Sequence, residues 1–202
     1  MTLTALAISC TLKPSPEASS SELMSWQLEK QLAEYGVDCE HVRAVDHQIL
    51  PGVDKDMGDG DAWLALREKV LAADIVVLVT PTWLGQPSSV AQRVLERLDA
   101  ELAETDAEGR PILFDKVALA AVVGNEDGAH HIIAVLFQAL NDIGFTVPAQ
   151  GGVYWNGEAM HKTDYKDLPQ TPEKVASSMK TAVGGAVHLA RMLKQQGYPS
   201  GA

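Results

Sequence analysis

Short apolar runs rich in β-branched residues alternate along this chain with longer stretches of helical periodicity, and that alternation restricts its fold more than any other feature. The run "LTALAIS" (Leu3 to Ser9) reads as a buried strand. "SELMSWQLEKQLAEYG" then sets Leu23, Trp26, Leu28, Leu32 and Tyr35 near helical spacing before Gly36 ends the pattern. "VDCEHVRAV" alternates as a second strand and "DAWLALREKVLAA" is helical. "DIVVLVT", a third strand, is apolar on both faces and precedes the helix "SSVAQRVLERLDAEL". The series closes with "DKVALAAVV", the helix "GAHHIIAVLFQALNDIG" with Gly144 as its stop, "FTVPAQGGVYW" bent at Pro148, and a helix from Thr171 to Gln196 with Pro172 in its first turn. Five strand–helix units predict a five-stranded parallel sheet with helices on both faces, an α/β three-layer sandwich joined by right-handed crossovers.

No internal repeat and no long linker divides the 202 residues, so one domain spanning 1–202 is expected. The segment "DHQILPGVDKDMGDGD" reads as an exposed loop. With 27 acidic against 16 basic side chains and a net charge of −11, and with the basic residues scattered, neither nucleic acid nor an anionic membrane is an expected partner. No apolar run approaches the roughly 18 residues of a membrane span, and "MTLTALAISC" has no basic leader region, so a cytoplasmic protein is expected. Cys10 and Cys39 are two thiols, too few for a three- or four-thiolate cluster.

Open parallel sheets bind ligands beyond the carboxyl ends of their strands, where strand order reverses. The loop after strand one, Ser9-Cys10-Thr11-Leu12-Lys13-Pro14-Ser15-Pro16-Glu17-Ala18-Ser19-Ser20-Ser21, is dense in hydroxyls and runs straight into a helix. Free N–H groups and the positive end of a helix dipole suit a phosphate, and Lys13 adds charge. Ser19 to Ser21 would serve equally as simple helix caps. Neither GxGxxG nor GxxxxGK[ST] occurs, which leaves a mononucleotide phosphate as the better match.

After strand three, Pro81 and Gly85 shape a turn and Trp83 offers a flat face to a planar heterocycle. After strand four, Gly124 and Gly128 bracket Asn125, Glu126 and Asp127 and permit close approach of backbone to a ligand. The adjacent His130 and His131 point about 100° apart on a helix, which disfavours a shared metal. One is expected at the site rim and the other in a helix contact.

Together the three loops resemble the flavodoxin-like NAD(P)H-dependent FMN reductase and quinone reductase superfamily, in particular its multimeric flavodoxin-like branch and the iron–sulfur flavoproteins. The resemblance covers about residues 3 to 155 and the last helix. It implies that Ser9, Thr11, Lys13, Ser19, Ser20 and Ser21 hold the FMN phosphate. In "PTWLGQPS", Pro81, Thr82, Trp83, Leu84 and Gly85 match the family's P-x-[YW]-x-G-x-x-S and would wrap the isoalloxazine edge. Gly124, Asn125, Glu126 and Gly128 would stand near the ring. The chain departs from the family in Glu96, where aspartate is usual, in Arg93, one position from the usual lysine, and in the missing cysteine cluster, which argues against an iron–sulfur centre. "GGVYWNGEA" resembles a segment that ends near the flavin or a neighbouring subunit, where Tyr154 and Trp155 would either stack or pack the sheet edge.

The resemblance further implies FMN as cofactor, NAD(P)H as co-substrate, a quinone or flavin as acceptor, and a homodimer or homotetramer. No side chain need act as a nucleophile, and no catalytic residue or metal ligand is assigned. Two other functions remain open: a flavodoxin-type electron carrier without NAD(P)H turnover, and a flavodoxin-fold protein that binds no flavin and serves only in interactions.

Overall fold

The computed structural model describes residues 2–199. Strands β1 (Thr4–Ser9), β2 (Asp38–Arg43), β3 (Ile75–Trp83), β5 (Val117–Gly124) and β6 (Gly152–Asn156) form a parallel sheet in the order β2-β1-β3-β5-β6. A short β4 (Gln86–Pro87) pairs antiparallel with the end of β3. Helices α1 (Ser20–Glu34) and α5 (Glu173–Gln195) cover one face, while α2 (Trp63–Ala72), α3 (Ser89–Leu98) and α4 (Ala129–Asp142) cover the other. This is the expected three-layer sandwich, with the flavodoxin-like order in which the chain winds outward from β1, then crosses back to β3.

Strand periodicity divides the apolar residues between two cores. Leu6, Ile8, Val76, Leu78, Ala118, Ala120 and Val122 meet α2, α3 and α4. Ala5, Ala7, Ile75, Val77, Val79, Leu119 and Val123 meet α1 and α5. The small side chains of β1 and β5 let the flanking helices lie close, and every residue from Val117 to Val123 is buried. Among the described residues no helix is long and apolar enough to cross a membrane.

Three elements differ from the sequence expectation. Strand β3 does not stop at Thr80: it continues through Pro81, which lies opposite Val123, and turns at Leu84 and Gly85 into β4. The predicted strand from Phe145 to Trp155 is broken. Thr146 makes an isolated bridge to Val117, a turn closes from Pro148 O to Gly151 N, and the strand proper starts at Gly152. Pro148 has no N–H for a sheet ladder, so extended pairing stops there. Helix α3 ends at Leu98 and tightens into a 3-10 turn over Asp99–Ala103.

Candidate functional site

The reversal of strand order between β1 and β3 opens a cavity of about 390 Å³ at the carboxyl ends of the strands. One wall is the loop after β1 and the first turn of α1, through Thr11, Lys13, Ser19, Ser20 and Ser21. The Ser19 hydroxyl caps α1 by accepting from Glu22 N at 3.4 Å. Leu23 N already donates to Ser19 O at 3.0 Å, so the N–H groups of the first turn without an intrahelical partner are those of Ser20 and Ser21, both in the cavity lining. Ser20 Oγ accepts from Lys166 N at 3.2 Å, tying the turn to a distant segment.

The 13–17 loop owes its shape to groups at the end of β2. The Arg43 guanidinium donates to Lys13 O at 3.2 Å and to Glu17 O at 3.0 Å. Asp46 accepts from the Ser15 amide at 2.8 Å and from its hydroxyl at 2.5 Å. Burial pushes the Asp46 carboxyl up, but these bonds and Arg43 pull it further down, so it stays ionised as the anchor of the loop.

The second wall is the end of β3, where Pro81, Thr82 and Trp83 line the cavity. Ser88 locks this corner: its amide donates to Thr80 Oγ1 at 3.0 Å and its hydroxyl to Cys10 O at 2.7 Å, while the same hydroxyl caps α3 by accepting from Ala91 N. The third wall is Gly124, Asn125 and Glu126. A Cβ on Gly124 would fall 2.7 Å from Thr82 Cβ, so only glycine permits the two walls to meet this closely. Glu126 reaches across to accept from Leu84 N at 2.7 Å.

Four of the residues implied by the resemblance stand outside the cavity lining. Ser9 is fully buried in β1, and its Oγ has no partner. Leu84 projects outward, 90% exposed, because the hairpin turn holds it at φ 52°. Gly85 and Gly128 press on each other behind the wall: a Cβ on Gly128 would be 2.7 Å from Gly85 Cα. The histidines are equally removed from the lining. His130 Nε2 meets Tyr154 OH at 3.0 Å, and His131 Nε2 meets Gln86 Oε1 at 3.2 Å. On α3, Glu96 and Arg97 do not pair with each other; Arg97 turns inward and Arg93 donates to Ile49 O.

The fourth wall comes from chain beyond the three loops. Trp155, Met160, Asp164, Tyr165 and Lys166 line it, and of these the sequence pointed to Trp155 alone. Trp155 and Tyr165 pack with ring centroids 5.4 Å apart, and Asn125 Nδ2 donates to Asp164 Oδ1 at 2.9 Å. Lys166 Nζ pairs with Asp167 at 2.8 Å and Asp164 at 3.4 Å.

The cavity is therefore chemically graded. Hydroxyls, first-turn N–H groups and the two lysines gather at one end, and Trp83, Trp155 and Tyr165 offer flat apolar faces along the rest. Thr82 Oγ1 and Asn125 Oδ1 are buried in the lining without a hydrogen-bond partner. Buried polar atoms rarely remain unpaired, so these two are unsatisfied polar points in the lining. A planar heterocycle with an anionic tail, as FMN is, fits this donor set. Among the described residues no cluster of three or more His, Cys, Asp or Glu could hold a metal ion.

Comparison with known proteins bears on the family and the fold. The family model described as NADPH-dependent FMN reductase matches residues 3–159. The 8-demethyl-8-aminoriboflavin-5'-phosphate synthase of Streptomyces davaonensis is 31% identical over 209 residues, covering 98% of this chain and 81% of that protein. A protein of Mycobacterium bovis described as the divalent metal cation transporter MntH is 36% identical over 199 residues, 95% of this chain. The chain spans 29% of the length of that protein. The crystal structure of RosB with the bound intermediate 8-demethyl-8-formylriboflavin-5'-phosphate superposes with a TM-score of 0.85 at 30% identity, covering 97% of this chain and 82% of RosB.

Proposed function

The chain belongs to the NADPH-dependent FMN reductase family, and from that premise we propose that residues 1–202 are one domain that binds FMN and passes electrons from NAD(P)H to a quinone, a flavin or a similar small acceptor. The observation that carries this reading is the grading of the cavity, anionic-ligand chemistry at the start of α1 and flat aromatic faces beside Thr82 and Asn125.

In this reading Thr11, Lys13 and Ser19 to Ser21 bind the phosphate with hydroxyl and N–H donors. Thr82, Asn125 and Gly124 orient the ring edge, and Trp83 and Trp155 exclude water from its faces. Ser9, Leu84, Gly85 and Gly128 act from behind the lining by setting the backbone of the walls. Bound FMN supplies two-electron chemistry that no side chain here provides. The exposed Leu84, Trp83 and Met160 beside the mouth support assembly into a homodimer or homotetramer.

The test is spectroscopic. Purified protein titrated with FMN should acquire a protein-bound flavin spectrum, lose it on anaerobic addition of NADH or NADPH, and regain it with a quinone. Flavin binding without loss of colour on adding either nicotinamide would favour an electron carrier, and no flavin binding would sink both readings.

A second reading has its own support in the likeness to the S. davaonensis synthase over most of that protein: the flavin phosphate is the molecule acted upon. FMN recovered with unchanged mass after many turnovers supports the first reading; a changed mass supports the second.

A further inference from the structure

Glu22 lies in the first turn of α1, 5% exposed, next to the Ser19, Ser20 and Ser21 that line the hydroxyl-rich end of the cavity. A carboxylate there stands at the same positive dipole end that an anionic ligand would use. Uncancelled, it would repel a phosphate at short range in a partly desolvated site.

Arg43, from the end of β2 and 6% exposed, meets it. Its Nε donates to Glu22 Oε1 at 2.7 Å and its Nη2 pairs with Glu22 Oε2. Its other N–H groups are taken by the carbonyls of Lys13 and Glu17, which hold the guanidinium in place. The cavity-lining Lys166 cannot stand in for it, because Lys166 is already paired with Asp164 and Asp167. With Lys166 paired, Lys13 is the lysine of the lining that faces a phosphate, and the Glu22–Arg43 pair decides whether a second, negative charge stands against it, although neither residue of the pair lines the cavity.

We propose that Arg43 is a positioning residue that makes the start of α1 accept a phosphate group by cancelling the Glu22 charge beside it. The inference rests on the reading of the cavity as an FMN site. It concerns the FMN-over-riboflavin preference, since these two ligands share a ring and differ in the phosphate.

Dissociation constants for FMN and riboflavin are measured for the wild type, Arg43→Met, Glu22→Gln and the double variant, each checked for folding by circular dichroism. Arg43→Met should lower the preference for FMN by about tenfold or more, Glu22→Gln should keep or raise it, and the double variant should recover most of the loss. A merely structural role would weaken both ligands alike and leave the ratio unchanged, which overturns the proposal, as does a double variant that recovers nothing. Should Arg43→Met fail to fold, a tenfold fall of the ratio in Glu22→Gln or in the double variant overturns it equally.

Inorganic phosphate serves as a ring-free probe by thermal shift. If the wild type binds neither flavin, the FMN reading fails, and a phosphate-induced shift that Arg43→Met loses and the double variant regains still supports the role of Arg43. Equal shifts in all variants, or none in the wild type, overturn it.

Discussion

Arg97 Nη1 lies 2.7 Å from the carboxylate of Asp61, and both side chains are completely buried. The guanidinium also donates to Leu50 O at 2.9 Å and Asp54 O at 2.8 Å and sits 5.4 Å from the centroid of the Trp63 ring. Asp61 in turn accepts from the amides of Leu50, Met57 and Trp63. A Gly- and Asp-rich segment that reads as an exposed loop is therefore wound around a buried ion pair, which fixes the approach to α2.

Removing one member leaves an isolated charge in the interior. Asp61→Asn should lower unfolding stability by about 3–5 kcal/mol, the cost of stranding a buried cation. Replacing both residues by apolar ones should restore part of it. Urea denaturation checks this, and a loss below about 1 kcal/mol in the single variant would mean that Arg97 finds another partner.

The same pair sets a pH dependence. Burial pushes the Asp61 carboxyl up, but the bond from Arg97 and the amides of Met57, Leu50 and Trp63 pull it further down, so that it lies well below the usual carboxylate range. A carboxyl depressed in the folded state contributes its stability in full above the unfolded value of about 4, and loses it as pH falls through the folded value. The stability difference between wild type and Asp61→Asn should stay level from pH 8 to pH 5 and narrow below about pH 4. A difference that is constant down to pH 2 would contradict the depressed titration.

What could be read from the sequence follows physical range. The strands and helices were legible because burial on two sheet faces forces β-branched runs, and covering them forces helical periodicity. The β3–β4 hairpin was not: Gln86–Pro87 is two residues long and has no period to detect. The three loops were visible through their hydroxyls and glycines. Met160, Asp164, Tyr165 and Lys166 were missed because they reach the cavity only when the chain folds back after β6, and no local pattern records that return. Arg43 left one faint signal, a lone base at the end of an alternating strand, in a position where burial demands a partner.

Gly128 tests how the walls are joined. It adopts φ 132°, and an added Cβ would stand 2.7 Å from the Cα and 3.0 Å from the O of Gly85. Those are backbone atoms, so the β3–β4 hairpin would have to shift. Gly128→Ala should cost about 1–3 kcal/mol of stability and reduce FMN affinity by about tenfold or more. Gly36→Ala is the contrast: φ is 73° but no atom lies within 4 Å, so it should lose about 1 kcal/mol and leave FMN binding unchanged. Equal effects on binding in the two variants would separate the hairpin contact from the site.

Thr82 gives a prediction in which stability and binding move in opposite directions. Its side chain is 4% exposed, lines the cavity, and carries a hydroxyl without a hydrogen-bond partner. A buried hydroxyl left unpaired costs about 1–3 kcal/mol, while valine fills the same shape without that group. Thr82→Val should therefore raise unfolding stability measured without added flavin. If the hydroxyl serves a polar edge of FMN, the same change removes a hydrogen bond of about 0.5–1.5 kcal/mol and weakens binding by roughly 3- to 10-fold. The pair of measurements is a denaturant midpoint and an FMN titration on the same preparation. A variant that is more stable and binds FMN as before would place Thr82 outside the ligand contacts. One that is less stable would show that the hydroxyl serves the fold itself.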